Sequence, residues 1–159
     1  MSTVLVTGGS GGIGRAICLA FAQEGFDIAF CYDKNGRGAE ETAELLRKTA
    51  AGVQVFRCDV SDEKSVEEMF ASVYGLEILV NNAGISSFGL IQETSLAQWE
   101  RVFRVNMTGA FLCTRAAIPK LLRRGNGCIV NISSMWGEVG ATCEAAYSAS
   151  KAALIGFTK

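Results

Sequence analysis

Short apolar runs alternate with longer segments of helical periodicity along the whole chain. Thr3-Val4-Leu5-Val6-Thr7 is apolar at consecutive rather than alternate positions, which suits a strand buried on both faces. A glycine-rich stretch follows, and Arg15 to Gln23 reads as a helix with Gly25 at its C′ position. The alternation then repeats as a strand from Phe26 to Tyr32, a helix from Gly38 to Thr49 and a strand from Val53 to Cys58. Ser61 offers an N-cap for the next helix, with Asp62 and Glu63 favourably placed in its first turn. Glu77 to Asn81 is a fourth strand. Ser95 and Gln98 have capping-box spacing and open a long helix to about Leu122, which Pro119 kinks or ends. Cys128 to Ser133 is a fifth strand, and a final helix starts at Glu144. Repeated β-α units predict an α/β fold with a doubly wound parallel sheet, Rossmann-like and three-layered.

Ala152 to Lys159 keeps the helical pattern and carries no stop signal. Five predicted strands are also fewer than the six or more of a complete doubly wound sheet. Residues 1–159 therefore read as one α/β domain, C-terminally incomplete and truncated within the helix that carries Tyr147 and Lys151.

The bulk numbers narrow the classes. A length of 159 residues with 49% hydrophobic content suits one domain with a sizeable core. A net charge of −1 gives no electrostatic footprint for nucleic acid or an anionic membrane surface. With no basic leader or long apolar span, a cytoplasmic location is expected. The six cysteines are scattered without a Cys-x-x-Cys pair and read as small buried hydrophobes in a reducing compartment. The chain has no histidine, so no metal site is expected, and carbonyl polarisation falls to hydroxyl, phenol or backbone donors.

Gly8-Gly9-Ser10-Gly11-Gly12-Ile13-Gly14 sits between a strand and a helix, the context in which glycines let backbone N–H groups approach a pyrophosphate. Gly8-x-Ser10-x-Gly12 also fits a hydrolase nucleophile elbow, but the histidine base of that chemistry is missing. No Gly-Lys-Ser/Thr closes a P-loop. At the other end, Tyr147 and Lys151 are four residues apart on a helix and share a face. A cation about 4 Å from the phenol, at an effective dielectric near 20, contributes at most roughly 4 kcal/mol, or roughly three pKa units. That moves a tyrosine towards the range of efficient acid–base catalysis.

These residues resemble the short-chain dehydrogenase/reductase family over the whole chain. Thr7-Gly8-x-x-x-Gly12-x-Gly14 matches the family's coenzyme loop, Asp59-Val60 its adenine-contacting pair, and Asn81-Asn82-Ala83-Gly84 its signature after the fourth strand. Asn106, Ser134, Tyr147 and Lys151 match its catalytic tetrad. The resemblance implies that Ser134 and Tyr147 hydrogen-bond a substrate carbonyl and that Tyr147 donates the proton. Lys151 then lowers the phenol pKa and holds the nicotinamide ribose, and Asn106 supports a water-linked proton relay to it. An alternative role for Asn106, on a face expected to be buried, is to satisfy local backbone groups. Cofactor contacts are implied for Gly8, Ser10, Gly12, Ile13, Gly14, Tyr32, Lys34, Asp59, Val60, Asn82, Ala83 and Gly84, besides Tyr147 and Lys151. Asn82 and Gly84 can also form a turn, and Asp59 can also help cap the helix near Ser61.

By alignment with the family, Tyr32 stands where an acidic residue would favour NAD, with Asp33, Lys34 and Arg37 close behind. NADP is the expected cofactor and NAD stays open, since Gly11 occupies a position that is basic in many NADP-dependent relatives. Within the family the general likeness is to 3-oxoacyl-[acyl-carrier-protein] reductases, which implies a carrier-bound or small-molecule ketone. The stretch from Asn131 to Lys151, with Trp136 and Glu144, also looks like reductases of the aminopentanone group on modified elongation factor P. A nucleotide-sugar epimerase, whose loop Gly8-x-x-Gly11-x-x-Gly14 also fits, and a non-catalytic nucleotide-binding fragment stand as alternatives of another class. Homotetrameric assembly of the parent protein, partly through the fourth and fifth helices, is a further implication of the resemblance.

Overall fold

The first apolar run becomes β1 (Thr3–Thr7), buried at every position. A computed structural model describes residues 2–49 and 52–159, so Met1, Ala50 and Ala51 of the expected domain lie outside the described residues. Strands β2 (Asp27–Tyr32), β3 (Val53–Arg57), β4 (Leu76–Asn81) and β5 (Cys128–Asn131) join β1. All pairings are parallel, in the order β3-β2-β1-β4-β5. The chain reverses its direction of travel across the sheet at β1, so a crevice opens at the C-terminal ends of β1 and β4.

Successive side chains of a strand point to opposite faces. Val4, Val6, Ile28 and Phe30 accordingly pack on Cys18 and Ala22 of α1 (Gly12–Gln23) and on Ala43 and Leu46 of α2 (Gly36–Leu46). Leu5, Ala29, Cys31 and Leu79 face the other way, onto Val66, Met69 and Phe70 of α3 (Glu63–Ser72) and Cys113 of α5 (Gly109–Arg124). Each fully buried large side chain contributes about 1.5–3 kcal/mol. The doubly wound, three-layer expectation holds.

Several local expectations are corrected. The cap of α3 is Asp62, whose carboxylate accepts from the Ser65 N–H at 2.7 Å. Ser61 lies one residue before the cap position, with its own N–H and hydroxyl both donating to Asp59 Oδ1, at 2.9 and 2.7 Å. The capping box at Ser95 and Gln98 is present and opens α4 (Leu96–Phe103). The long helix is not one regular helix: a π-helical segment, Arg104–Thr108, separates α4 from α5. Pro119 does not end α5: its own position is exposed and the helix runs on to Arg124. The stop is Gly125, at φ +84°, whose N–H reaches the Leu121 and Leu122 carbonyls. Two short elements were not anticipated, a 3₁₀ turn at Ile91–Glu93 and the four-residue α6 (Trp136–Val139). The final helix, α7, runs from Ala145 to Thr158 with Glu144 at its cap position.

Cys18, Cys31, Cys58 and Cys113 are buried as expected, whereas Cys128 is exposed on the edge strand β5 and Cys143 is half-buried. Among the described residues no helix is long and apolar enough to cross a membrane.

The reassigned cap has a measurable consequence. Asp62→Ala is expected to lower the unfolding free energy by about 1 kcal/mol, and Ser61→Ala to stay within about 0.5 kcal/mol of the parent. Urea denaturation of the two variants checks the order, and the reverse order would return the cap to Ser61.

Candidate active site

The glycine turn is built by close approach. A β-carbon on Gly14 would stand 2.1 Å from the Gly8 carbonyl oxygen and 2.7 Å from Asn82 Nδ2, so no side chain fits there. Thr7 locks the turn to β4: its hydroxyl accepts from the N–H groups of Asn82 and Ala83, both at 3.0 Å. Asn82 Nδ2 closes the joint by donating to the carbonyls of Thr7 and Gly8, at 2.9 and 3.2 Å. Asn82 is thus a clamp across the switch point rather than only a turn after a strand. Arg15 braces the loop from the other side, donating to the Ser10 and Gly38 carbonyls, Thr42 Oγ1 and Glu41.

A cleft of about 850 Å³ runs along these strand ends. Of the residues expected to touch the cofactor, Gly8, Ser10, Tyr32 and Lys34 line it on one side. Asp59, Val60, Ala83 and Gly84 line it on the other. Gly12, Ile13, Gly14, Asn82, Tyr147 and Lys151 do not line this cleft: Gly14 and Asn82 lie in the joint just described, Ile13 is exposed, and Lys151 adjoins the lining residue Gly84. A size above 300 Å³, with a glycine turn at a helix N-terminus as its floor, fits a dinucleotide. Sequence reasoning missed the outer wall, formed by Ala97, Glu100, Arg101, Arg104 and Val105. Their spacing of three and four residues is the signal that places them on one helical face.

Of the expected tetrad, Asn106, Tyr147 and Lys151 are brought together by the π-helical segment and α7, beside Gly84 of the loop after β4. Asn106 is buried in the π-helical segment and its amide is fully engaged. Oδ1 accepts from the Ile85 N–H at 2.8 Å, while Nδ2 donates to the Ile85 carbonyl and Ser150 Oγ, both at 2.9 Å. The backbone-satisfying role is therefore real. Ser150 in turn donates to the Tyr147 carbonyl at 2.7 Å, so Asn106 also supports the turn of α7 that carries the phenol. Tyr147 is half-buried, and Lys151 Nζ lies 5.8 Å from the centre of its ring.

Lys151 is only 4% exposed, and burial lowers its pKa below the usual lysine value. Its ammonium donates to the Ile132 carbonyl at 2.6 Å. A β-carbon on Gly84 would lie 3.5 Å from that nitrogen and 3.4 Å from Asn106 Oδ1, so Gly84, Asn106 and Lys151 adjoin.

Ser134 precedes α6 and accepts from the Trp136 N–H at 3.2 Å. The neighbouring Ser133 instead donates to the Lys151 carbonyl at 2.9 Å, a structural tie between β5 and α7. Gly137 packs against the backbone of Lys151 and Ala152, which presses α6 onto α7 and brings the Ser134 segment close to the Tyr147 turn. Cys143 holds a left-handed backbone at φ +62°, and its carbonyl accepts from the Gly89 N–H at 2.9 Å. That bond ties the loop after β4 to the approach of α7. Strained residues of this kind cluster at functional sites.

A family model described as short chain dehydrogenase matches residues 2–159. The chain is 37% identical over 161 residues to a 3-oxoacyl-[acyl-carrier-protein] reductase of Staphylococcus aureus, covering 99% of this chain and 65% of that protein. NAD+-bound xylitol dehydrogenase superposes with a TM-score of 0.94 at 34% identity, covering 99% of this chain and 62% of the other. An actinorhodin polyketide ketoreductase variant with NADPH gives a TM-score of 0.94 at 36% identity, with the same coverage of 99% and 62%. The chain thus spans just under two thirds of the length of the relatives it matches. By sequence, by fold and by the match along nearly its whole length, this chain belongs to the short chain dehydrogenase family.

Proposed function

We propose that the full-length protein is an NAD(P)H-dependent carbonyl reductase, acting as an alcohol dehydrogenase in reverse, with 3-oxoacyl thioesters as its substrate class. The observation that carries the reading is that Gly84, which lines a dinucleotide-sized cleft with the glycine-turn residues Gly8 and Ser10, adjoins the Lys151 ammonium and Asn106, with Tyr147 one helical turn from Lys151. Likeness to a 3-oxoacyl-[acyl-carrier-protein] reductase supports the substrate class. The bound nicotinamide supplies the hydride.

The chain's own residues divide the remaining work. Gly8, Ser10 and the N-terminal turn of α1, with Gly12 and Ile13, would hold the pyrophosphate. Asp59 and Val60 would face the adenine, and Ala83 and Gly84 the nicotinamide end. Ser134 would hold the substrate carbonyl oxygen by a hydrogen bond. Tyr147 would pass its hydroxyl proton to that oxygen as the alkoxide forms. Lys151, its ammonium anchored on the Ile132 carbonyl and adjoining Gly84, would hold the nicotinamide ribose. Asn106 would keep the Tyr147 turn and the Gly84 loop in register with each other, and its relay role would run through the ammonium it adjoins. NADPH would be preferred, with Lys34 beside Tyr32 facing the extra phosphate.

Two measurements test this reading. NADPH-dependent reduction of an acetoacetyl thioester by the full-length protein is expected, with Tyr147→Phe lowering kcat by about 10²–10⁴-fold and leaving NADPH affinity nearly unchanged. Turnover that survives in the variant would remove the phenol from the chemistry. In equilibrium titrations, NADPH should bind at least about tenfold more tightly than NADH, and Lys34→Ala should narrow that gap. Equal affinities in the parent protein would defeat the NADP assignment.

A further inference from the structure

The cleft also holds two cysteines that carbonyl reduction does not use. Cys31 is the penultimate residue of β2 and stands opposite Phe56 of β3. Cys58 is the first residue after β3, and its N–H donates to the Tyr32 carbonyl at 2.8 Å, which holds it beside the end of β2. Both side chains enter the same buried cluster as Cys113, and both line the cleft between Tyr32 and Asp59. Among the described residues no group of three potential ligands could hold a metal ion, so the cluster is not a metal site.

The two thiols are set in opposite directions. Cys31 is pushed well up, first by its hydrogen bond with Cys58 and then by burial. Cys58 is drawn down, first by that same hydrogen bond and also by Ser65 in the first turn of α3, against burial and the carboxylates of Asp59 and Asp62. Of the pair, Cys58 is the thiol eased towards ionisation and Cys31 the one held against it. Cys113 is pushed up to about 12 by burial and takes no part as a nucleophile.

We propose that Cys58 is a peroxide-sensitive site and Cys31 its resolving partner, the two forming a disulfide that closes the adenosine end of the cleft. The loss of binding that this entails rests on the nucleotide reading above. In the first step the Cys58 sulfur attacks hydrogen peroxide, the O–O bond breaks, and one water leaves after proton uptake, giving a sulfenic acid. The Cys31 sulfur then attacks the Cys58 sulfur. The S–S bond forms, the S–O bond breaks, and the departing hydroxide takes the Cys31 proton as a second water. Two thiols lose two electrons in total, and one peroxide becomes two waters.

The setting favours this outcome over general oxidation. Cys58 is 3% exposed, so a molecule the size of peroxide reaches it from the cleft where a bulky maleimide does not. The register sets Cys31 opposite Phe56, so Cys58 is its diagonal neighbour on the same face, roughly 7–8 Å away at Cα, whereas a disulfide needs Cα atoms about 5.5–6 Å apart. β3 is an edge strand, and closing the bridge requires the connection beyond it to move inward and the Cys58 N–H to leave the Tyr32 carbonyl. Drawing it inward displaces Asp59 and Val60, the walls expected to face the adenine.

The test treats the full-length protein with dilute hydrogen peroxide, blocks remaining thiols with N-ethylmaleimide and maps the peptides. A linked Cys31–Cys58 peptide is expected, together with an NADPH Kd raised at least about tenfold and restored by dithiothreitol. In Cys31→Ser the sulfenic acid should persist, and unfolding the oxidised protein in the presence of dimedone should label residue 58. In Cys58→Ser the ratio of oxidised to reduced affinity should fall to one. Oxidation confined to the exposed Cys128 and half-buried Cys143 overturns the proposal, as does a linked peptide that leaves NADPH affinity unchanged. A reduced protein that fails to bind NADPH sinks the nucleotide reading instead, while the linked peptide still decides the thiol chemistry.

Discussion

The whole cleft depends on one close contact between two glycines. Gly14 lies so near the Gly8 carbonyl and the Asn82 amide that even a methyl group is excluded. That proximity lets α1 begin directly over the end of β1 and aim its free N–H groups at the crevice. Thr7 and Asn82 then hold the turn against β4 with four hydrogen bonds, two accepted by the Thr7 hydroxyl and two donated by the Asn82 amide. Residues from β1, β4 and the loop after β4 thus form one rigid joint. Gly84, which adjoins Asn106 and Lys151, lies two residues further on, so an error in the joint would pass straight into the position of Lys151.

The catalytic side is held by bonds between parts of the chain that are far apart in sequence. Asn106 reaches Ile85 across 21 residues and Ser150 across 44. Its amide is worth more as a connector than as a single bond, since leaving any of these buried groups unpaired costs about 1–3 kcal/mol. The same demand accounts for the π-helical segment. An extra residue in a helical turn swings a side chain away from its regular bearing, and here the segment centres on Asn106. Lys151 shows the same trade. Burial works against its charge, and the Ile132 carbonyl compensates.

Much of the architecture was legible because it rests on local rules. Val4 to Val6 is apolar without alternation, and only a strand covered on both sides suits that pattern. Ser95 and Gln98 name their own helix start, and Tyr147 and Lys151 share a face by spacing alone. What was hidden depends on geometry that local pattern does not carry. Arg104 to Thr108 keeps helical periodicity whether the turn is α or π, so nothing in the letters marks the change. Ser61 and Asp62 are both good caps one residue apart, and nothing in local pattern chooses between them; Asp62 takes the cap and Asp59 holds the Ser61 donors. Pro119 looked like a break because proline costs a helix one backbone bond. At an exposed position that cost is tolerable. The pairing of Cys31 with Cys58 joins residues from two strands and needed the register of the sheet to be seen.

Arg15 was described as a brace, and its commitment bears on how the family diversifies. Its Nε and Nη2 are already spread over Ser10, Gly38, Thr42 and Glu41, which fixes that edge of the guanidinium on the scaffold. On the nucleotide reading proposed above, discrimination by charge at the ribose end would draw on Lys34 and Arg37, whose side chains are exposed. Selectivity written on such side chains is cheap to revise. A handful of surface substitutions would re-tune the redox currency of the protein while the scaffold beneath kept its stability, which makes this trait evolutionarily labile in a way the buried machinery is not.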